Sequence, residues 1–299
     1  PAGQLGGEII LPAGPGPHPG VVFLHGAGPQ PRDASRFAAY QMAELGVAAL
    51  IFDKRGVGQS QGESAGASFE DLAEDGVAMA RHLESLPQVS DVGFFGHSQG
   101  GWIAPLAAMR WPGAAFVITS AGPAVPPSRE AHWEFVRNLR TLAAGDAAIE
   151  AAREVIDYWH DGVRSGDWRN YDAAVKTLST KAWFEPAGLH RLPRPPDPAF
   201  AAMYLAYMDY DPMPALRALK APMLALLAPR DESIDALETA GILRALAASG
   251  ADIHIRMYPG FDHAMRSLGL DGQPLRWPRH PADYFSTQAE FINRAISGR

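Results

Sequence analysis

The chain has 299 residues, 47% apolar and 20% charged, and carries 33 Asp and Glu against 26 Lys and Arg for a formal net charge of −7. That composition excludes a disordered segment, and the acidic balance argues against nucleic acid as a partner, because affinity for phosphates rests on clustered Lys and Arg. No run of eighteen apolar residues is present to cross a bilayer, and the lack of cysteine removes disulfides, thiolate metal sites and a cysteine nucleophile together.

Pro1 stands where an initiator methionine would, so a segment is expected upstream and the compartment stays open. Short apolar runs alternate with longer stretches of helical period, the pattern of a mostly parallel sheet covered by helices; the fold class is α/β. In chain order, strands are expected at Glu8–Leu11, Val21–His25, Val47–Phe52, Val92–Phe95, Ala115–Thr119, Met223–Leu227 and Ile253–Tyr258. The Pro and Gly cluster from Pro12 to Gly20 reads as the turn between the first two. Helices are expected near Ala34–Leu45, Ser68–Glu84, Gly101–Arg110, Ile234–Ala248 and Asp283–Ile296. In the second of these, Leu72, Gly76, Met79 and Leu83 recur at helical spacing, and Ser68 with Asp71 can cap its start. From about Val125 to Met213 the alternation stops, with Pro-rich breaks at Pro126, Pro127 and Pro193 to Pro198, and the segment reads as an insertion. The reading divides the chain into a core of 1–124 and 213–299 and an insertion of 125–212. Four of the seven tryptophans, Trp133, Trp159, Trp168 and Trp183, fall in the insertion with Tyr204, Tyr207 and Tyr210, either as its own small core or lining a pocket.

The strongest local signal is Gly96-His97-Ser98-Gln99-Gly100, directly after an apolar run and directly before a helix. A sharp strand-to-helix turn flanked by small residues exposes a serine hydroxyl at the sheet edge, so Ser98 is the expected nucleophile. A serine hydroxyl needs a base, and the base an orienting carboxylate. Of the ten histidines, His263 fits, in a short loop after the last strand. His25 and His97 lie in turns where they support backbone geometry, and His18, His82 and His280 read as surface residues. Asp231, just past the strand Met223–Leu227, is the expected acid, with Glu232 and Asp235 as rivals; Asp235 suits the first turn of the next helix. The oxyanion should be held by the backbone N–H groups of Ala27, in the His25-Gly26-Ala27-Gly28 turn, and of Gln99. The loop from Phe52 to Ser60 lacks phosphate-loop spacing and reads as a structural turn in which Asp53 and Arg55 pair. No cluster has the spacing of a metal site, and neither a metal nor any other cofactor is expected.

These residues together resemble the α/β-hydrolase superfamily: the HGxG turn at His25, the RGxGxS loop at Arg55, the GHSQGG elbow at Ser98, Asp231 and His263 stand in its order. The extended elbow from Gly96 to Pro105, with Asp209-Tyr210-Asp211-Pro212 before the acid strand, is similar to bacterial esterases of the serine aminopeptidase-like and bile-acid acyltransferase-like branch. The resemblance covers about Gly6–Ala124 and Met213–Ile296. It implies that the insertion is a helical cap over the active site, that the usual first strand is missing or lies upstream, and that an ester is hydrolysed through an acyl-enzyme. The expected partner is a small-molecule ester with an apolar group. A thioesterase or acyltransferase, or an aminopeptidase or amidase using Glu134, Glu154 and Asp157 to hold an amine, is the alternative; a non-catalytic ligand-binding protein is a third reading.

Overall fold

The computed structural model describes residues 3–298 apart from 65, 193, 195, 274 and 278, so Pro1, Pro193 and Pro195 lie outside the described residues. All seven expected strands form: β1 (Gly7–Ile10), β2 (His18–Leu24), β3 (Ala48–Phe52), β4 (Val89–His97), β5 (Val117–Ser120), β6 (Met223–Leu227) and β7 (Ile253–Met257). They make one sheet in the order β1-β3-β2-β4-β5-β6-β7, antiparallel only at the edge pair β1 and β3. The cluster from Pro12 to Gly20 is not all turn: its last residues, from His18 on, already belong to β2.

Alternation along the strands explains the two cores. In β2, Val22 and Leu24 point to one face and Val21 and Phe23 to the other. The first face is covered by α2 (Phe69–Glu84), α3 (Gly100–Arg110) and α10 (Ala236–Ala248), the second by α1 (Arg36–Glu44) and α11 (Tyr284–Ser297). Burial on both faces is why β3 and β6 read as unbroken apolar runs. The Ser68 side chain accepts from the Asp71 N–H and the Asp71 carboxylate from the Ser68 N–H, the reciprocal cap the sequence suggests for α2. Asp235 is the residue before α10, and its carboxylate accepts from Leu237 and Glu238, which starts that helix two residues later than expected.

Between β5 and β6 the chain forms α4 (Pro127–Thr141), α5 (Asp146–Ser165), α6 (Arg169–Leu178), α7 (Phe184–Ala187) and α8 (Pro198–Leu205), then α9 (Met213–Ala218). These helices have their own core, in which Trp159, Tyr171, Phe184 and Tyr204 are buried with Leu139 and Ile156. Tyr207 packs on both this cluster and the sheet core, stacked on Phe69 at 5.1 Å between ring centroids. Where β2 is flanked by β3 on one side and β4 on the other, the chain reverses direction across the sheet. The crevice outside the carboxyl ends at that point is where ligands bind in open α/β sheets.

Candidate active site

β4 and α3 are separated by two residues, so the chain must turn sharply, and Ser98 sits in the left-handed region at φ 54°. The strain is held by bonds on both sides: Ser98 N–H donates to Ser120 O at 3.0 Å, and Gly101 N–H donates to Ser98 O at 2.7 Å. Only glycine fits at positions 96 and 100. A Cβ at Gly96 would collide with the Gly100 carbonyl, and one at Gly100 would come within 2.6 Å of the Leu24 oxygen.

His263 lies in the loop after β7, which turns on a bond from Met265 N–H to Asp262 O. Its Nε2 is 2.9 Å from Ser98 Oγ, and its Nδ1 is 2.9 and 2.8 Å from the two carboxylate oxygens of Asp231. A carboxylate only accepts, so Nδ1 carries the proton and Nε2 receives the serine hydroxyl. Asp231, past the end of β6, is buried, and its Oδ1 also accepts from the Ser233 and Ile234 N–H groups. Burial alone would lower the His263 imidazole; the hydrogen bond and charge of Asp231, with Glu232 and Asp262, carry it above 6.5 instead. The rivals lie elsewhere: Glu232 accepts from the His263 backbone N–H, and Asp235 caps α10.

The turn after β2 runs beside the serine, where a Cβ on Gly26 would stand 3.6 Å from that of Ser98. Among the described residues, no protein acceptor takes the backbone N–H of Ala27 or Gln99. His25 and His97 do support backbone: their rings bond Phe52 O at 2.5 Å and Ser120 O at 3.1 Å, and burial pushes both down to about 4, so they are neutral donors.

Three expectations need correction. Asp53 and Arg55 do not pair: Asp53 binds the Arg32 guanidinium at 2.6 Å, whereas Arg55 reaches Asp75 at 2.6 Å and Asp71 on α2. The chain turns from Arg55 on rather than continuing as a strand, so the two side chains are not held on one face and each meets a different neighbour. His280 is no ordinary surface residue but half-buried, stacked 5.2 Å from Tyr284. The segment past β3 is also more than a turn. It carries Lys54, buried, whose Nζ donates to Gly26 O at 2.9 Å, Gly28 O at 3.1 Å and Gln99 Oε1 at 2.7 Å. A lysine directly after the strand that neighbours the HGxG strand was the available signal.

A cavity of about 230 Å³ opens next to these groups, lined by Gly28, Lys54, Leu72, Gln99, Phe200 and Tyr207 among others. A larger one, about 580 Å³, lies between α4, α5 and the start of α10, and its lining is charged. At its wall His132, Asp157 and His160 offer ligand atoms within 4.8 Å of one another, a grouping made between α4 and α5 that linear spacing does not reveal. Those residues could share a cation, but Asp157 is mostly exposed and His132 feels the Arg129 and Arg153 charges, which oppose one. Also at this cavity, burial and the charges of Asp231, Asp235 and Glu238 push the Glu130 carboxyl up to about 8.

The sheet order and the strained serine between β4 and α3 accord with two family models that match the chain, serine aminopeptidase, S33, over residues 15–154 and dienelactone hydrolase over 200–269. The chain has the α/β-hydrolase fold. This α/β-hydrolase is 28% identical over 145 residues to esterase EstD of Thermotoga maritima, covering 46% of this chain and 35% of that protein. It is 27% identical over 161 residues to 2,6-dihydropseudooxynicotine hydrolase of Paenarthrobacter nicotinovorans, covering 50% and 42%. The matched stretches thus span well under two thirds of either relative. Among solved structures, proline iminopeptidase of Mycobacterium smegmatis superposes with a TM-score of 0.59 at 16% identity, over 100% of this chain and 98% of that one. No helix among the described residues is long and apolar enough to cross a membrane.

Proposed function

We propose that this α/β-hydrolase is a serine hydrolase that cleaves small to medium carboxylic esters, with residues 125–212 as a cap over the site. Ser98 Oγ attacks the ester carbonyl as its proton passes to His263 Nε2; Asp231 holds the imidazole and stabilises the imidazolium. The N–H groups of Ala27 and Gln99 accept the charge that develops on the carbonyl oxygen. His263 then returns the proton to the departing alcohol, and water, activated by the same imidazole, releases the acid from Ser98.

The observation that carries this reading is the unbroken relay Asp231–His263–Ser98, at 2.8 to 2.9 Å throughout, ending on a serine held at φ 54°. A cavity of about 230 Å³ is small for a drug-sized ligand, and its Leu72, Phe200 and Tyr207 walls favour a short apolar group. The amide-cleaving alternative has less support. Glu134 and Asp157 are exposed and face Arg191 and His132, and Glu154 is exposed.

Intact-mass spectrometry after treatment with a fluorophosphonate, followed by a series of p-nitrophenyl esters, tests the proposal. One adduct and turnover of short esters are expected in the native chain, and both should vanish in a folded Ser98→Ala variant. An undiminished rate in that variant would remove the mechanism, and a folded native chain without adduct would revive the ligand-binding reading.

A further inference from the structure

We propose that Lys54 is a positioning residue for the oxyanion donors: its buried ammonium clamps the Gly26–Ala27 peptide and the Gln99 side chain, so that the Ala27 and Gln99 N–H groups face the charge forming on the substrate. The inference rests on the serine-hydrolase reading and deepens it.

Three ammonium protons meet three acceptors, Gly26 O, Gly28 O and Gln99 Oε1, so Lys54 has no donor left for substrate. What it holds is the frame. The Gly26 carbonyl and the Ala27 N–H are opposite ends of one planar trans peptide, so a cation fixed on the oxygen sets the direction of the N–H. It also draws electron density toward that oxygen and makes the N–H a stronger donor. Gln30 ties the same turn from the other side, accepting from Gly26 N–H at 3.1 Å and donating to Ala27 O at 3.3 Å. Through Gln99 the ammonium also reaches the start of α3, so one group from the β3 edge joins the two segments that carry the two donors.

Two nearby carboxylates bind guanidinium groups: Asp53 binds Arg32, and Asp75, which borders the same small void as Lys54, binds Arg55. His25, the remaining titratable group there, is neutral. A buried cation on three neutral acceptors gains further when a negative charge forms close by, which is what the tetrahedral intermediate supplies. Burial pushes the Lys54 amine down to about 8. The clamp should therefore loosen as pH rises through that value, since a neutral amine keeps two protons for three acceptors.

The test is the rate at which a fluorophosphonate labels Ser98 between pH 6 and 10. In that reaction Ser98 Oγ forms a bond to phosphorus, fluoride leaves, His263 takes the proton, and the phosphoryl oxygen occupies the oxyanion position. Wild-type labelling should rise as His263 loses its proton and fall above about pH 8. Lys54→Met should label on the order of 10²-fold more slowly at pH 7, lose the alkaline fall, and show the loss on an ester in kcat rather than KM. Because Glu130 titrates in the same range, Glu130→Gln is the control and should keep the alkaline fall. A wild-type rate in Lys54→Met, or a wild-type profile flat to pH 9.5, overturns the assignment; should Lys54→Met not fold, the wild-type and Glu130→Gln profiles decide. Wild-type protein that is never labelled sinks the hydrolase reading itself, and labelled wild type with indifferent Lys54→Met sinks only this one.

Discussion

At the scale of single residues, the proposed mechanism turns on what Asp231 does to His263. In that mechanism the base works only as neutral imidazole, so activity should rise with pH as His263 loses its proton, at a value above 6.5 because Asp231 favours the charged form. The same shift has the opposite sign for stability. A histidine whose folded value is raised contributes stability below 6.5, and loses that contribution as pH climbs through the folded value. Replacing Asp231 by Asn removes the charge and invites the wrong tautomer, since the amide can donate to Nδ1. We expect kcat on a p-nitrophenyl ester to fall on the order of 10⁴-fold and the acid limb of the residual activity to move to lower pH. An acid limb left in place would mean that another group sets the imidazole.

At the scale of elements, the loop after β3 is fixed by α2, and this is what holds Lys54 against the turn from Gly26 to Gly28. Arg55 Nε donates to Asp75 at 2.6 Å, with both side chains buried, while the guanidinium also reaches the Asp71 carbonyl. Asp75→Ala removes the buried partner of Arg55 and leaves it only the half-exposed Asp71 carboxylate, and should lower unfolding free energy by about 3 kcal/mol in urea denaturation. The Arg55→Met, Asp75→Leu double variant should lose less than that single change; a larger loss would show that other bonds of Asp75 dominate. This clamp also marks where the sequence stops being legible. Strands such as β3 and β6 could be read because burial on both faces writes an unbroken apolar run. Ser98, His263 and Asp231 could be singled out because each closes or follows a strand at the same sheet edge. The partners of Asp53, Lys54 and Arg55 could not, since they depend on which way three consecutive side chains turn, and the Lys54–Gln99 bond joins residues 45 positions apart.

At the scale of the whole molecule, the insertion and the sheet meet through aromatic rings, and that contact shapes the cavity beside Lys54 and Gln99. Phe69, at the start of α2, is fully buried and packs on Trp102, Tyr207 and Tyr210 with centroids 5.3, 5.1 and 5.0 Å away. Tyr207 is thereby fixed by the core, whereas Phe200, on α8, is partly exposed and meets insertion residues, stacked on Tyr204 at 5.8 Å and tilted to Trp159 at 6.2 Å. Both line the cavity of about 230 Å³, but only Phe200 can be cut back without disturbing the sheet. Phe200→Ala should therefore lengthen the pocket while leaving the relay at Ser98 intact. Each methylene newly sheltered from water is worth roughly 0.8 kcal/mol, about fourfold in kcat/KM. Across p-nitrophenyl esters from acetyl to octanoyl, the variant should shift its optimum toward longer chains and keep a near-native kcat on the acetate. An unchanged profile would place the acyl group elsewhere, and a kcat that fell equally on every ester would mean that α8 holds the oxyanion turn rather than the substrate.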